Sequence, residues 1–152
     1  MPTFRFKFVV QAPLHDVWKF YTNVRHLAII TPKEIDLEII RTSSQDITQG
    51  QEIWLSGKII ANRRNKWHSK ITSMKEYEYV DEMITGPFKT WKHSHKFEEL
   101  DGSRTEIIDE ILFELPYGIF GRLFEGYASN QLKKTFHHRK LSTCNVLEKK
   151  PN

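Results

Sequence analysis

At 152 residues the chain suits one domain that buries a core without staples, and its single cysteine, Cys144, excludes an intramolecular disulfide and a cysteine-based zinc site. A composition of 39% hydrophobic and 28% charged residues is that of an ordinary globular protein, and the net charge of +4 is a mild excess favouring acidic surfaces. No run approaches about eighteen uninterrupted apolar residues, and the first residues alternate apolar with charged instead of forming a leader, so a cytoplasmic protein is expected.

Phe4, Phe6 and Phe8 alternate with Arg5 and Lys7, predicting a half-buried strand over 3–10. Pro13 opens a helix with Val17, Phe20 and Tyr21 on one face, and Asn23 suits the N-cap of a second short helix that Thr31-Pro32 stops. Ile35, Leu37 and Ile39 read as a strand; Gly50 marks a turn before the alternation of Ile53, Leu55, Gly57 and Ile59. Residues 63–76 and 79–85 continue the strands up to the turn at Gly86-Pro87. Two further strands, 91–100 and 105–115, flank the hairpin signal Asp101-Gly102-Ser103. Beyond Pro116, Gly118 and Gly121 the period becomes helical: Phe120, Leu123, Phe124, Tyr127, Ala128, Leu132 and Phe136 mark a helix of about twenty-five residues.

The expected fold is therefore α+β: a curved antiparallel sheet of about seven strands, two short helices, and a long C-terminal helix covering the sheet around a cavity. Residues 1–148 form one domain on this reading and 149–152 a tail. Lys133, Lys134, Arg139, Lys140, Lys149 and Lys150 make the C-terminal end basic, which reads as a solvated helix face.

The segment with most chemistry lies at 91–97. Trp91, His93, His95 and Phe97 share one strand face, and the charged Lys92 and Lys96 force that face inward. Asp109 lies on the inward face of the next strand between Ile107 and Ile111, where a lone carboxylate would be costly. Pairing Leu100 with Arg104 puts His95 across from Asp109 and His93 across from Ile111, with Cβ atoms roughly 5 Å apart. Three uses of the cluster follow: a buried polar pair; an acid/base or ligand-orienting pair in which Asp109 fixes the tautomer of His95; or a metal site of His93, His95 and Asp109, which lacks an evident fourth ligand. No metal and no cofactor are expected. Ser69 and Ser73 have no nucleophile elbow around them, and no phosphate-binding glycine loop is present.

The run Gly86-Pro87-Phe88, Trp91, His93, His95, Phe97, Thr105, Asp109, Leu115-Pro116, Gly118, Gly121, Phe136 and Arg139 resembles the START-like or helix-grip superfamily, which includes polyketide cyclase/dehydrase-like proteins. It is closest in pattern to a bacterial subgroup of small cytoplasmic proteins. The resemblance implies a cavity for a lipid, polyketide, quinone or similar ligand, and no particular reaction. Phe113 departs from the tyrosine expected in many relatives, which removes a hydroxyl from the cavity wall.

The leading expectation is thus a binding protein for a small hydrophobic ligand, without catalysis. Trp67, Ile71, Met83, Trp91, Phe97, Ile111 and Phe113 supply the sheet wall, and Phe120, Phe124, Tyr127 and Leu132 the helix wall. His93, His95 and Asp109 hold the ligand's polar end. The alternatives are a cyclase or dehydratase using the His/Asp pair, and a module docking RNA, ribosome or membrane through its basic helix end, with nucleic acid disfavoured by the absence of a recognised motif.

Overall fold

A computed structural model describes residues 1–60 and 62–148. The expected tail, 149–152, lies outside the described residues. The chain runs β1 (Thr3–Val10), α1 (Leu14–Tyr21), 3-10 turns at Val24–Ala28 and Lys33–Ile35, then β2 (Glu38–Thr42), β3 (Glu52–Ile60), β4 (Arg63–Lys75), β5 (Glu78–Thr85), β6 (Thr90–Asp101) and β7 (Arg104–Glu114). Two helices close it, α2 (Ile119–Arg122) and α3 (Glu125–Leu147). All seven strands join one antiparallel sheet in the order β1-β7-β6-β5-β4-β3-β2.

The sheet is curved because its long central strand is interrupted. Register shifts place one extra residue on β5, between Met83 and Thr85 opposite His68 and Ser69, and one on β4, between Ile71 and Ser73, and such bulges bend and twist the strands. The concave face holds the inward residues of each strand and receives α1 and α3.

Two local expectations need correction. Ile35 and Leu37 do not begin a strand: Lys33–Ile35 is a 3-10 turn and Asp36 adopts a left-handed conformation, so β2 starts only at Glu38. Arg64 holds that turn by donating hydrogen bonds to both the carbonyl and the carboxylate of Asp36. The C-terminal helix is also two pieces, with Leu123 and Phe124 at the break. Its first piece is pinned to the end of β7, because the α-carbon of Gly121 rests against the backbone of Leu115 and Pro116, where any Cβ would collide with the Pro116 carbonyl oxygen. Tyr117 and Gly118, both at positive φ, turn the chain sharply there.

The core has two parts. The larger packs Val17, Phe20, Tyr21 and Val24 against Phe8, Ile53, Ile71, Phe97 and Ile107; the smaller joins Phe4, Ile111 and Phe113 to Leu132 and Phe136 of α3. The space between sheet, α1 and α3 is not filled solid by either.

Candidate functional site: a cavity with a histidine–aspartate wall

The cavity holds about 330 Å³ and is lined mainly by apolar side chains. Its far end is built by Leu27, Ile30, Ile53, Leu55, Ile59 and Trp67, and its polar wall by Asp81, His93, His95 and Arg139. Of the residues expected on the wall, Trp67, Ile71, Met83, Trp91, His93, His95, Phe124, Tyr127 and Leu132 line it. Phe97, Asp109, Ile111, Phe113 and Phe120 do not.

The reasons differ. Phe97, Ile111 and Phe113 point inward, as the strand parity requires, but they lie under other side chains: Phe97 in the larger core, Ile111 and Phe113 in the smaller. Asp109 is fully buried behind the two histidines. Phe120 is swung out with α2 and is 72% exposed.

The strand register agrees with expectation: His95 pairs with Asp109 and His93 with Ile111. The hydrogen bonds nevertheless run diagonally. His93 Nε2 is 2.7 Å from Asp109 Oδ1, and His95 Nε2 is 2.6 Å from Asp81 Oδ2. Asp81, on β5 directly opposite His93, is the partner that sequence reasoning missed. His95 Nδ1 faces Asp109 Oδ1 at 3.4 Å without a hydrogen bond. Each long side chain leans along its strand, which brings the diagonal neighbour within reach. Asp109 therefore orients His93 and not His95.

The rings form a column: Tyr79 stacks on His95 at 4.2 Å between centroids, and His95 lies 3.6 Å from His93. Phe136 meets the outer edge of His93. Burial pushes the His93 imidazolium down to about 4, helped by the charge of His95 and opposed by Asp109. Burial acts the same way on His95, but the nearby Asp109 carboxylate and the hydrogen bond with Asp81 outweigh it and raise its pKa. Burial would raise both carboxyls, yet the histidines and Arg139 hold Asp109 far below the usual carboxylate range and Asp81 below it too. His95 is thus the more basic ring of the pair and His93 the less basic one.

Arg139 was counted with the solvated basic face and is instead buried, reaching the cavity from α3. Its place is readable from spacing, because Leu132, Phe136, Arg139 and Thr143 recur on one helix face and all four are buried. Lys133 and Lys134 are exposed, as expected. One turn further on, Thr143 ties α3 to α1 through a 2.6 Å hydrogen bond with the Tyr21 hydroxyl.

A metal ion would find three donor atoms within 4.8 Å of one another on Asp81, His93 and His95. Imidazole nitrogens bind metals in the ring plane, and these rings lie nearly face to face, 30° apart.

This sheet, long helix and internal cavity define a START-like, helix-grip protein. The chain belongs to the family described as polyketide cyclase/dehydrase and lipid transport, whose model matches residues 10–136. No curated protein matches the sequence. Among solved structures it is similar to a START superfamily protein from Mycobacterium smegmatis (TM-score 0.75, 11% identity, covering 96% of this chain and 97% of that one). It is also similar to the Zhui aromatase/cyclase from Streptomyces sp. R1128 (0.68, 19% identity, 96% and 90%). A third is norcoclaurine synthase from Thalictrum flavum, in complex with dopamine and hydroxybenzaldehyde (0.69, 16% identity, 99% and 89%). At these identities the likeness is one of fold. Among the described residues, no helix is long and apolar enough to cross a membrane.

Proposed function

We propose that the protein binds a small hydrophobic molecule inside the cavity between sheet and α3, without transforming it. One observation carries this: a predominantly apolar space of about 330 Å³ persists in the middle of the fold, with polar groups gathered on one wall. Pockets of a few hundred Å³ with few convergent polar groups are the usual make-up of small-molecule sites. The family's description, which includes lipid transport, supports the same ligand chemistry. A cytoplasmic setting with Cys144 reduced belongs to this reading.

The neutral fluorophore N-phenyl-1-naphthylamine tests it. The wild type is expected to take up the probe with a blue-shifted, enhanced emission. Ser69→Trp, which projects a large ring into the cavity from β4, is expected to abolish uptake while the fold survives by circular dichroism. Unchanged uptake in that variant, or none in the wild type, overturns the reading.

A second reading, an acid/base enzyme, is favoured by one specific observation: two imidazoles with centroids 3.6 Å apart on the cavity wall, the pKa of His95 raised and that of His93 lowered. His93 donates through Nε2 to Asp109, which leaves Nδ1 as an acceptor, while His95 holds a proton against Asp81. Nitrogen-15 NMR at pH 6 is expected to show His95 protonated on both nitrogens and His93 on one. Two neutral rings at that pH would remove the acid and this reading with it.

A further inference from the structure

Arg139 is the one group on the cavity wall whose interactions the binding reading leaves unexplained. Its residue is only 8% exposed, and its Nε is buried without a hydrogen-bond partner. Among the described residues, the ion pairs of the polar wall all join a histidine to an aspartate and leave the guanidinium out. Aromatic rings flank it instead: its Cζ is 5.4 Å from the ring centroids of Tyr21 and Phe136.

A guanidinium cannot shed its charge in a protein, and the neutral Tyr21 hydroxyl beside it offers no countercharge and leaves the buried Nε without a partner. Asp81 and Asp109 are the carboxylates of the cluster, but each turns the oxygen it uses toward a histidine. The side chain is thus neutralised from a distance and contacted by none of the carboxylates. A planar oxyanion is the chemical complement of such a fork, because it accepts two parallel N–H bonds at once.

We infer that the ligand of this cavity is an amphiphile with one oxyanion head, a carboxylate or its equivalent, which pairs with Arg139 while the apolar body occupies the far end lined by Leu55, Ile59 and Trp67. This rests on the proposed binding function and narrows its ligand class. The polar wall and the apolar end are parts of the same cavity, so one molecule can satisfy both. His93 and His95 then serve as the side wall of the head-group site, and Arg139 as its floor.

Displacement of N-phenyl-1-naphthylamine by dodecanoate and by methyl dodecanoate, at pH 7.5, tests the inference. The two competitors share a chain and differ in charge at the head. The wild type is expected to prefer the acid at least about tenfold, the size of one charge-assisted hydrogen-bonded contact. In Arg139→Met, which keeps the length of the stem, the ratio of acid to ester affinity is expected to fall to about one, a ratio in which any general change in uptake cancels. Equal affinities in the wild type overturn the inference whatever the variant does, as does a preference that survives in Arg139→Met. Probe uptake separates the two levels: if the wild type never takes up the probe, the cavity reading fails; if it does and discriminates no acid from ester, only the oxyanion fails.

Discussion

Replacing Asp109 with alanine is expected to lower the free energy of unfolding by about 3–5 kcal/mol, the usual cost of removing one partner from a buried charged pair. The carboxylate is fully buried and accepts a 2.7 Å hydrogen bond from His93. Without it, His93 loses its orientation, and the buried Arg139 loses a nearby carboxylate. Urea midpoints read the effect directly. The pH dependence has a definite sign. Asp109 titrates in the fold well below its ordinary value of 3.8, so its stabilisation is present above that value and fades as pH falls beneath it. His93 is also depressed, to about 4 from 6.5, so its neutral form stabilises the fold above pH 6.5 and that contribution is lost as pH falls toward 4. The wild type should therefore lose stability in two stages on acidification, first between about pH 6.5 and 4 and then below it. In Asp109→Ala the second stage should be much reduced. An unchanged midpoint, or an identical acid limb in the variant, would count against an ionised Asp109 at the centre of the network.

Phe113→Ala is expected to cost a similar amount, about 3–5 kcal/mol, as a large ring leaves a site that cannot collapse. Phe113 is fully buried among Phe4, Ile111, Leu132 and Phe136, with the ring of Phe88 perpendicular to it at 6.1 Å between centroids. Because the ring lies behind the cavity wall and not on it, uptake of N-phenyl-1-naphthylamine should persist in the variant below its melting point. Lost uptake with unchanged stability would put Phe113 on the wall. The same placement removes the significance of its missing hydroxyl: a tyrosine here would present its oxygen to other side chains and not to a ligand.

The strands were legible because period-two alternation and turn residues are local signals. The pairing of His95 with Asp109 followed from one hairpin and the parity of two faces. What parity cannot encode is the lean of a side chain along its strand, and that lean decides which histidine each aspartate holds. Asp81 was missed for a related reason. It alternates with Tyr79 and Met83 on the inward face of β5, but its importance depends on β5 lying beside β6, a fact of sheet order and not of spacing. Arg139 was misread because charge was weighed before helix phase. Phe120 was misread because a helical stripe says nothing about a break: the close approach of Gly121 to Pro116 turns α2 aside before α3 begins.

Sheet order also bears on how the molecule assembles. Every neighbouring pair of strands from β2 to β7 is joined by a short connection, whereas β1 meets β7 across roughly a hundred residues, with Thr3 opposite Leu112 and Val10 opposite Thr105. That seam is the costliest single loop closure of the sheet, and α3 rests chiefly on β1. The meander can form early, but α3 has no complete seat, and the cavity no roof, until the two ends of the chain have met. A molecule held in the cavity thus enters after the rate-limiting closure. It would keep the protein folded by slowing its unfolding and leave the speed of folding unchanged.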